Sequence, residues 1–308
     1  MSMENRPQNV PETVDVAVIG GSFAGLSAAL YLGRARQRVV VYDLGETRNR
    51  FSTAGHGFLG QDGVAPAAIQ AAGRADVLAY PTVQILAERV TQIERRGDVF
   101  AVQAKTLIHA RRVILSYGMV DTLPALPGLA QGWGDWALQC PYCHGYENAD
   151  RATGILMGAD GLPHHASLLR AWTDDLTVFA NGYQLTADEK ASLAHAGIAL
   201  HESPVVGFQA DTAGLRVVQL QSGAAVACAV IYLTSRSAPA CDLGEQLGCA
   251  QMDGPTGPYL EVDMMQQSSV PGVYAAGDLS RPVYGAVFAA RDGAMAGVAA
   301  HQSLIPPL

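Results

Sequence analysis

Short runs rich in Val and Ile, each closed by glycine or a polar turn, alternate along the chain with longer stretches of Ala and Leu. Val14-Asp-Val-Ala-Val-Ile19 reads as a buried strand. Gly20-Gly-Ser-Phe-Ala-Gly25 follows as a turn, Leu26 to Arg34 has helical composition, and Arg38-Val-Val-Val-Tyr-Asp43 is a second strand, so this stretch predicts a βαβ unit. Val99 to Gln103 and Leu107 to Ala110 predict adjacent antiparallel strands, and Val113-Ile-Leu-Ser-Tyr-Gly118 a further strand closing on glycine. Leu123-Pro-Ala-Leu-Pro-Gly128 punctuates the pattern as a linker. A second α/β unit begins at Thr153-Gly-Ile-Leu-Met-Gly158 and runs to about Ser235; Pro239 to Gly244 marks the return to the first domain. Val270 to Leu279 then gives a buried strand ending in Gly-Asp, ahead of a small-residue helix from Ala286 to His301. The predicted class is α/β, with one α/β domain interrupting another.

The first turn carries candidate chemistry. A glycine turn at a helix N-terminus lets a pyrophosphate approach free N–H groups, and an acid closing the second strand bonds a ribose hydroxyl. Gly20 and Gly25 meet the G-x-G-x-x-G pattern, Ser22 replaces its middle glycine, and Asp43 lies about where the acid belongs. The competing reading is a tight turn without function. Asp278, just past a strand end, has the position to accept from a ribityl hydroxyl, and it equally suits a helix N-cap.

Composition narrows the class. The 308 residues suffice for about two domains of ~100–200 residues each. A net charge of −8 leaves no basic stripe for phosphates, so no nucleic-acid partner is expected. The longest apolar run, Ala224 to Leu233, falls short of the roughly 18 residues of a membrane span. Met1 to Val10 lacks the basic start and apolar core of a secretory signal, and a cytoplasmic protein is expected. In a reducing compartment the one close pair, Cys140-Pro-Tyr-Cys143, points to redox or metal chemistry. No metal site is expected, because Cys228, Cys241 and Cys249 stand singly and read as small buried hydrophobes.

The Gly20–Gly25 turn, the Cys140-x-x-Cys143 pair within the inserted domain and Ala275-Ala-Gly-Asp278 together resemble the low-molecular-weight thioredoxin reductase family. The resemblance implies a two-domain FAD/NAD(P)-binding, Rossmann-like fold with the second domain inserted in the first: residues 1–120 and 244–308 bind FAD, and residues 121–243 carry the CxxC. It also implies non-covalent FAD, a homodimer, and a dithiol of Cys140 and Cys143 facing the flavin. Gly20, Ser22, Gly25, Asp43, Gly118 and Asp278 become the FAD-site candidates.

Two departures from that family matter. Its inserted domain carries a G-G-G-D-S-A turn for NADPH and, after the next strand, a His-Arg-Arg run gripping the 2′-phosphate. Here Met157, Ala159 and Leu162 hold the turn's small positions, and Ala180-Asn181-Gly182 replaces the cationic run, so the nucleotide site is expected to be lost. The second departure is His144 in place of the aspartic acid that commonly follows the second cysteine. An imidazole with ordinary pKa near ~6.5 suits a base that generates a thiolate, or it merely bonds a backbone group.

The whole run Cys140 to Glu147 is similar to the dithiol oxidases of gliotoxin and holomycin biosynthesis, which use oxygen instead of a pyridine nucleotide. The expected reaction joins a small-molecule dithiol into a disulfide through Cys140, Cys143 and His144, with O2 as acceptor and H2O2 as product. The alternatives are a thioredoxin-disulfide reductase fed by NADPH or ferredoxin, and a redox-sensing flavoprotein. Three further features stay open. His164 and His165 either border a remodelled pocket or cap a helix. His56 either neighbours the flavin or serves a turn, and Trp133 and Trp136 either wall a substrate site or belong to the core.

Overall fold

A computed structural model describes residues 12–158, 163–210 and 216–306. The described chain divides into two compact units. One runs through Arg48, takes up Ala67–Val120 and resumes at Ser237; the other holds Asn49–Pro66 and Asp121–Arg236. The inserted unit therefore includes a loop that the sequence reading assigned to the FAD domain, and the chain returns at Ser237 rather than at residue 244.

The first unit is built on a seven-stranded sheet. Val83–Leu86, Val39–Tyr42, Thr13–Ile19, Leu107–Leu115 and Val273–Ala275 run parallel, and Val99–Gln103 and Gln92–Arg96 extend it antiparallel. Alternation along Val16 to Ile19 sends Val16 and Val18 to one core and Ala17 and Ile19 to the other, as expected for a sheet covered on both faces. Leu107–Leu115 is one strand where the sequence predicted two. It leaves its antiparallel partner Val99–Gln103 and continues in parallel contact with Val273–Ala275, so the Arg111-Arg112 interruption changes neighbours without ending the strand.

Helices Phe23–Arg34 and Ala286–Gln302 cover one face and meet through small residues. A Cβ on Gly293 would stand 1.9 Å from the Ala24 carbonyl oxygen, so glycine is what lets the two backbones touch.

The second unit repeats the design. Its five parallel strands lie in the order Ala199–His201, Leu176–Phe179, Thr153–Leu156, Val230–Leu233, Ala137–Leu138. Leu193 of helix Ala187–His195 and Leu169 of helix Pro163–Leu169 join the core on one face. On the other face lies a small antiparallel sheet of Val205–Ala210, Arg216–Leu220 and Ala225–Cys228. Trp133 and Trp136 belong to that second core, and Trp136 packs on Phe208 with ring centres 5.6 Å apart. No helix among the described residues is long and apolar enough to cross a membrane.

Candidate functional site

The first unit gathers its candidate cofactor residues at one end of its sheet. Gly20 leaves the strand with φ +106°, and a Cβ there would lie 2.2 Å from the Ser116 carbonyl oxygen. At Gly25 it would lie 1.8 Å from the Gly20 oxygen, and at Gly21 it would run into Asp43 at 2.6 Å. Ser116 Oγ donates to the carbonyls of Ile19 and Gly20 and so ties the turn to the neighbouring strand. Ser22 is the extended N-cap of the helix Phe23–Arg34, and its side chain makes no cap hydrogen bond. The turn thus keeps its backbone bare where a pyrophosphate needs close approach.

Asp43, buried at the end of Val39–Tyr42, accepts from Gly45 N at 3.0 Å and pairs with Arg74. A carboxylate has about four acceptor positions, so it retains capacity for a ribose hydroxyl. Gly118 turns at φ +73°. Gly277, at φ +80°, would place a Cβ 3.0 Å from that of Ala24, which brings the Asp278 turn beside the start of the first helix. Asp278 accepts from Arg48 Nη1 at 2.9 Å, and the Arg48 guanidinium lies 3.9 Å from the Tyr284 ring centre. These residues fit the FAD dinucleotide: three glycine positions admit no side chain, and two acids stand at strand ends. Gly21, Ser116 and Arg48 were missed in the sequence. Gly21 had a signal in the doubled glycine, whereas Arg48 and Asp278 are too far apart in the chain to be paired by pattern.

The second unit carries the dithiol. Ala137–Leu138, paired in parallel with Val230–Leu233, leads into a single helical turn, Pro141–His144, with Cys140 as N-cap and proline at the first helical position. Cys140 and Cys143 are joined as a disulfide with Cα atoms 5.3 Å apart. Both are half-buried. Gly145 closes the turn by donating its N–H to the Pro141 oxygen at 2.6 Å, and a Cβ on it would meet the Trp172 indole at 2.8 Å. Trp172 in turn meets Tyr142 edge-on, with ring centres 5.5 Å apart. Trp172 was not singled out in the sequence, because nothing local ties it to the cysteines.

His144 follows the disulfide directly. Both its ring nitrogens are buried without a hydrogen-bond partner among the described residues. Burial holds its pKa below the ordinary histidine value; the nearby Glu147 charge opposes that, and His56 reinforces it. A neutral ring with unspent nitrogens can take a proton. Elsewhere, Cys228 is buried with its thiol pushed up to about 12, Cys249 is buried, and Cys241 is half-buried.

Residues 14–157 match the pyridine nucleotide-disulphide oxidoreductase family. Thioredoxin reductase tcpT of Claviceps purpurea is 31% identical, over 96% of this chain and 95% of its own. The chain is a thioredoxin reductase-like flavoprotein of this family.

As such it is an FAD-dependent oxidoreductase. Thioredoxin reductase sirT of Leptosphaeria maculans is 28% identical over 93% of each chain. Among solved structures, an oxidoreductase from Agrobacterium tumefaciens superposes with TM-score 0.90 at 39% identity, covering 95% of this chain and 98% of its own. HlmI follows with TM-score 0.89 at 36% identity over 95% and 92%.

The thioredoxin reductase-like sheet of the second unit ends differently from that of the first. Met157, expected to fill the space a pyrophosphate must enter, instead packs in the core with Ala166 and Leu169, and Gly158 has open space around it. Ala159 and Leu162 lie outside the described residues, as do the side chains of His164 and His165. Ala180 is fully buried, and Asn181, at φ +47°, spends its side-chain oxygen on the Val205 N–H at 3.1 Å.

Proposed function

We propose that this flavoprotein is a dithiol oxidase: it converts a small-molecule dithiol into an intramolecular disulfide and passes the electrons to dioxygen. The observation that carries the reading is the pair of strand ends in the second unit, where Met157 and Ala180 stand and no cation follows. A unit without that equipment is poorly made to receive a phosphorylated pyridine nucleotide, so its dithiol takes electrons from a thiol instead. The likeness of Cys140 to Glu147 to the gliotoxin and holomycin oxidases supports the same direction.

His144 removes the proton from one substrate thiol at a ring nitrogen, and the thiolate attacks the Cys140 sulfur. The Cys140–Cys143 bond breaks and a mixed disulfide forms at Cys140. The second substrate thiol then attacks its own partner sulfur, releases Cys140, and leaves as the cyclic disulfide. Cys140 and Cys143 end as a reduced pair holding the two electrons. FAD, when bound, would supply the acceptor for the two electrons of that pair; with O2 as the terminal acceptor, two electrons and two protons account for H2O2. Gly20, Ser22, Gly25, Asp43, Gly118 and Asp278 hold this cofactor, and the enzyme works as a cytoplasmic homodimer.

The names of the relatives favour a second direction, in which NADPH reduces the flavin and the dithiol reduces a protein disulfide. Mixing the yellow protein anaerobically with a small dithiol or with NADPH separates the two. Bleaching of the flavin band by dithiol alone, reversed by air with peroxide formed, is expected. Rapid bleaching by NADPH would overturn the oxidase reading.

A further inference from the structure

Tyr284 stands just before Gly285, the N-cap of the helix Ala286–Gln302, and its side chain is tied at both its tip and its face. Its hydroxyl lies 2.7 Å from Ser237 Oγ and 2.6 Å from Thr256 Oγ1, and those two hydroxyls are 3.0 Å apart. Ser237 and Thr256 are buried. A hydroxyl offers one hydrogen and two acceptor positions, so three of them can close a ring of mutual hydrogen bonds with no donor left over. The backbone beneath this triangle is held as well. Thr256 belongs to the turn between the antiparallel strands Gln251–Asp253 and Pro258–Leu260, which Gly254 N closes by donating to the Gly257 oxygen at 3.0 Å. Ser237 N donates to the Thr256 oxygen at 2.7 Å, and a Cβ on Gly257 would stand 1.9 Å from the Ser237 oxygen, so glycine is what lets these backbones meet.

The face of the Tyr284 ring carries Arg48, whose guanidinium carbon lies 3.9 Å from the ring centre. Arg48 Nη1 in turn donates to Asp278 Oδ2 at 2.9 Å, with the two side chains 17% and 18% exposed. All of these residues belong to the first unit. Ordering an arginine side chain costs about 2 kcal/mol of rotamer freedom, and a flat cation over a ring face regains about 0.5–2 kcal/mol of it. The ring therefore weighs in the balance between an Arg48 held at Asp278 and one that swings into water.

We propose that Tyr284 is a positioning residue of the cofactor site: its ring, pinned by Ser237 and Thr256, holds the Arg48 guanidinium against Asp278 and so fixes the orientation in which that carboxylate meets the ribityl chain of FAD. Arg48 occupies one of about four acceptor positions on the carboxylate and holds the others in a set direction. The inference rests on the reading of Asp278 as the ribityl acceptor, and it holds for either direction of electron flow.

The test is a double-mutant cycle on FAD affinity, read as free-flavin fluorescence when the yellow protein is diluted. Asp278→Ala is expected to weaken FAD binding by roughly 10–100-fold, because a charged acceptor is lost. Tyr284→Leu is expected to weaken it by roughly 3–10-fold, and Tyr284→Phe, which keeps the ring and loses only the pin, by less. Added to Asp278→Ala, neither Tyr284 change should weaken FAD binding further, whereas stability measured in urea should still fall. That contrast separates positioning from a merely structural role. A Tyr284→Leu protein that binds FAD as the wild type does, or a Tyr284 penalty that persists undiminished beside Asp278→Ala, would overturn the inference. If Tyr284→Leu does not fold, the Tyr284→Phe arm of the cycle decides in the same way at smaller amplitude. Should Asp278→Ala alone leave FAD affinity unchanged, the cofactor reading of Asp278 falls, and the positioning role falls with it.

Discussion

The two units share one sheet design and differ at the ends of two strands. Gly20 N donates to the Tyr42 oxygen at 2.8 Å, and in the second unit Met157 N donates to the Phe179 oxygen at 2.9 Å. One strand further, Asp43 N donates to the Leu86 oxygen and Ala180 N to the His201 oxygen, each at 2.9 Å. The hydrogen bonds therefore place Met157 where Gly20 stands and Ala180 where Asp43 stands. Gly20 adopts a left-handed φ with no room for a side chain; Met157 is outside the left-handed residues and drives its side chain into the core. The scaffold is thus indifferent to its ligand. On the proposed reading, whether a nucleotide binds turns on about two positions at strand ends, where a missing side chain would open the backbone and a single acid would reach a sugar.

The most damaging way to break the contrast is Gly25→Ala. Its Cβ would collide with the Gly20 backbone at 1.8 Å, so the protein is expected to purify without its yellow colour, read as the ratio of flavin to protein absorbance. His144→Ala probes the other unit and should leave the flavin in place while dithiol turnover falls by about 10²–10⁴. The wild-type rate should rise with pH along a limb lying below the ordinary histidine value, since burial lowers the pKa of His144 and the neutral base exists above it; the variant should lack that limb. Asp43→Ala is gentler. It removes the proposed ribose acceptor and strands Arg74, which should weaken FAD binding by roughly 10–100-fold, about 1.5–3 kcal/mol, in a flavin-release titration. Asn181→Ala should matter least, costing about 1–2 kcal/mol of urea-measured stability through the left-handed backbone and the lost Val205 hydrogen bond, with colour and turnover retained.

The sequence carried the parts of this contrast that are written locally. Val14 to Ile19, the glycine turn and Arg38 to Asp43 read as strand, turn and strand because burial on both faces and a glycine-only turn leave few other choices. The cysteine pair and its neighbouring histidine were equally plain. What stayed hidden depends on chain folding back on itself. Arg48 meets Asp278, Trp172 closes on Gly145, and His56 reaches Glu147 from a loop whose composition announces nothing but a turn. Met157 was legible as a departure from the family's turn, but not the direction in which its side chain would go.

Because the loop Asn49–Pro66 joins the dithiol unit while the chain on either side of it belongs to the other, the unit is not a cassette that can be exchanged as one continuous stretch. A chimera that swaps only residues 121–236 between relatives would import a foreign Glu147 beneath a native His56, and a foreign Gly134 beneath a native Phe51. Successful recombination would have to move both segments together, and two relatives that differ in one segment should differ in step in the other.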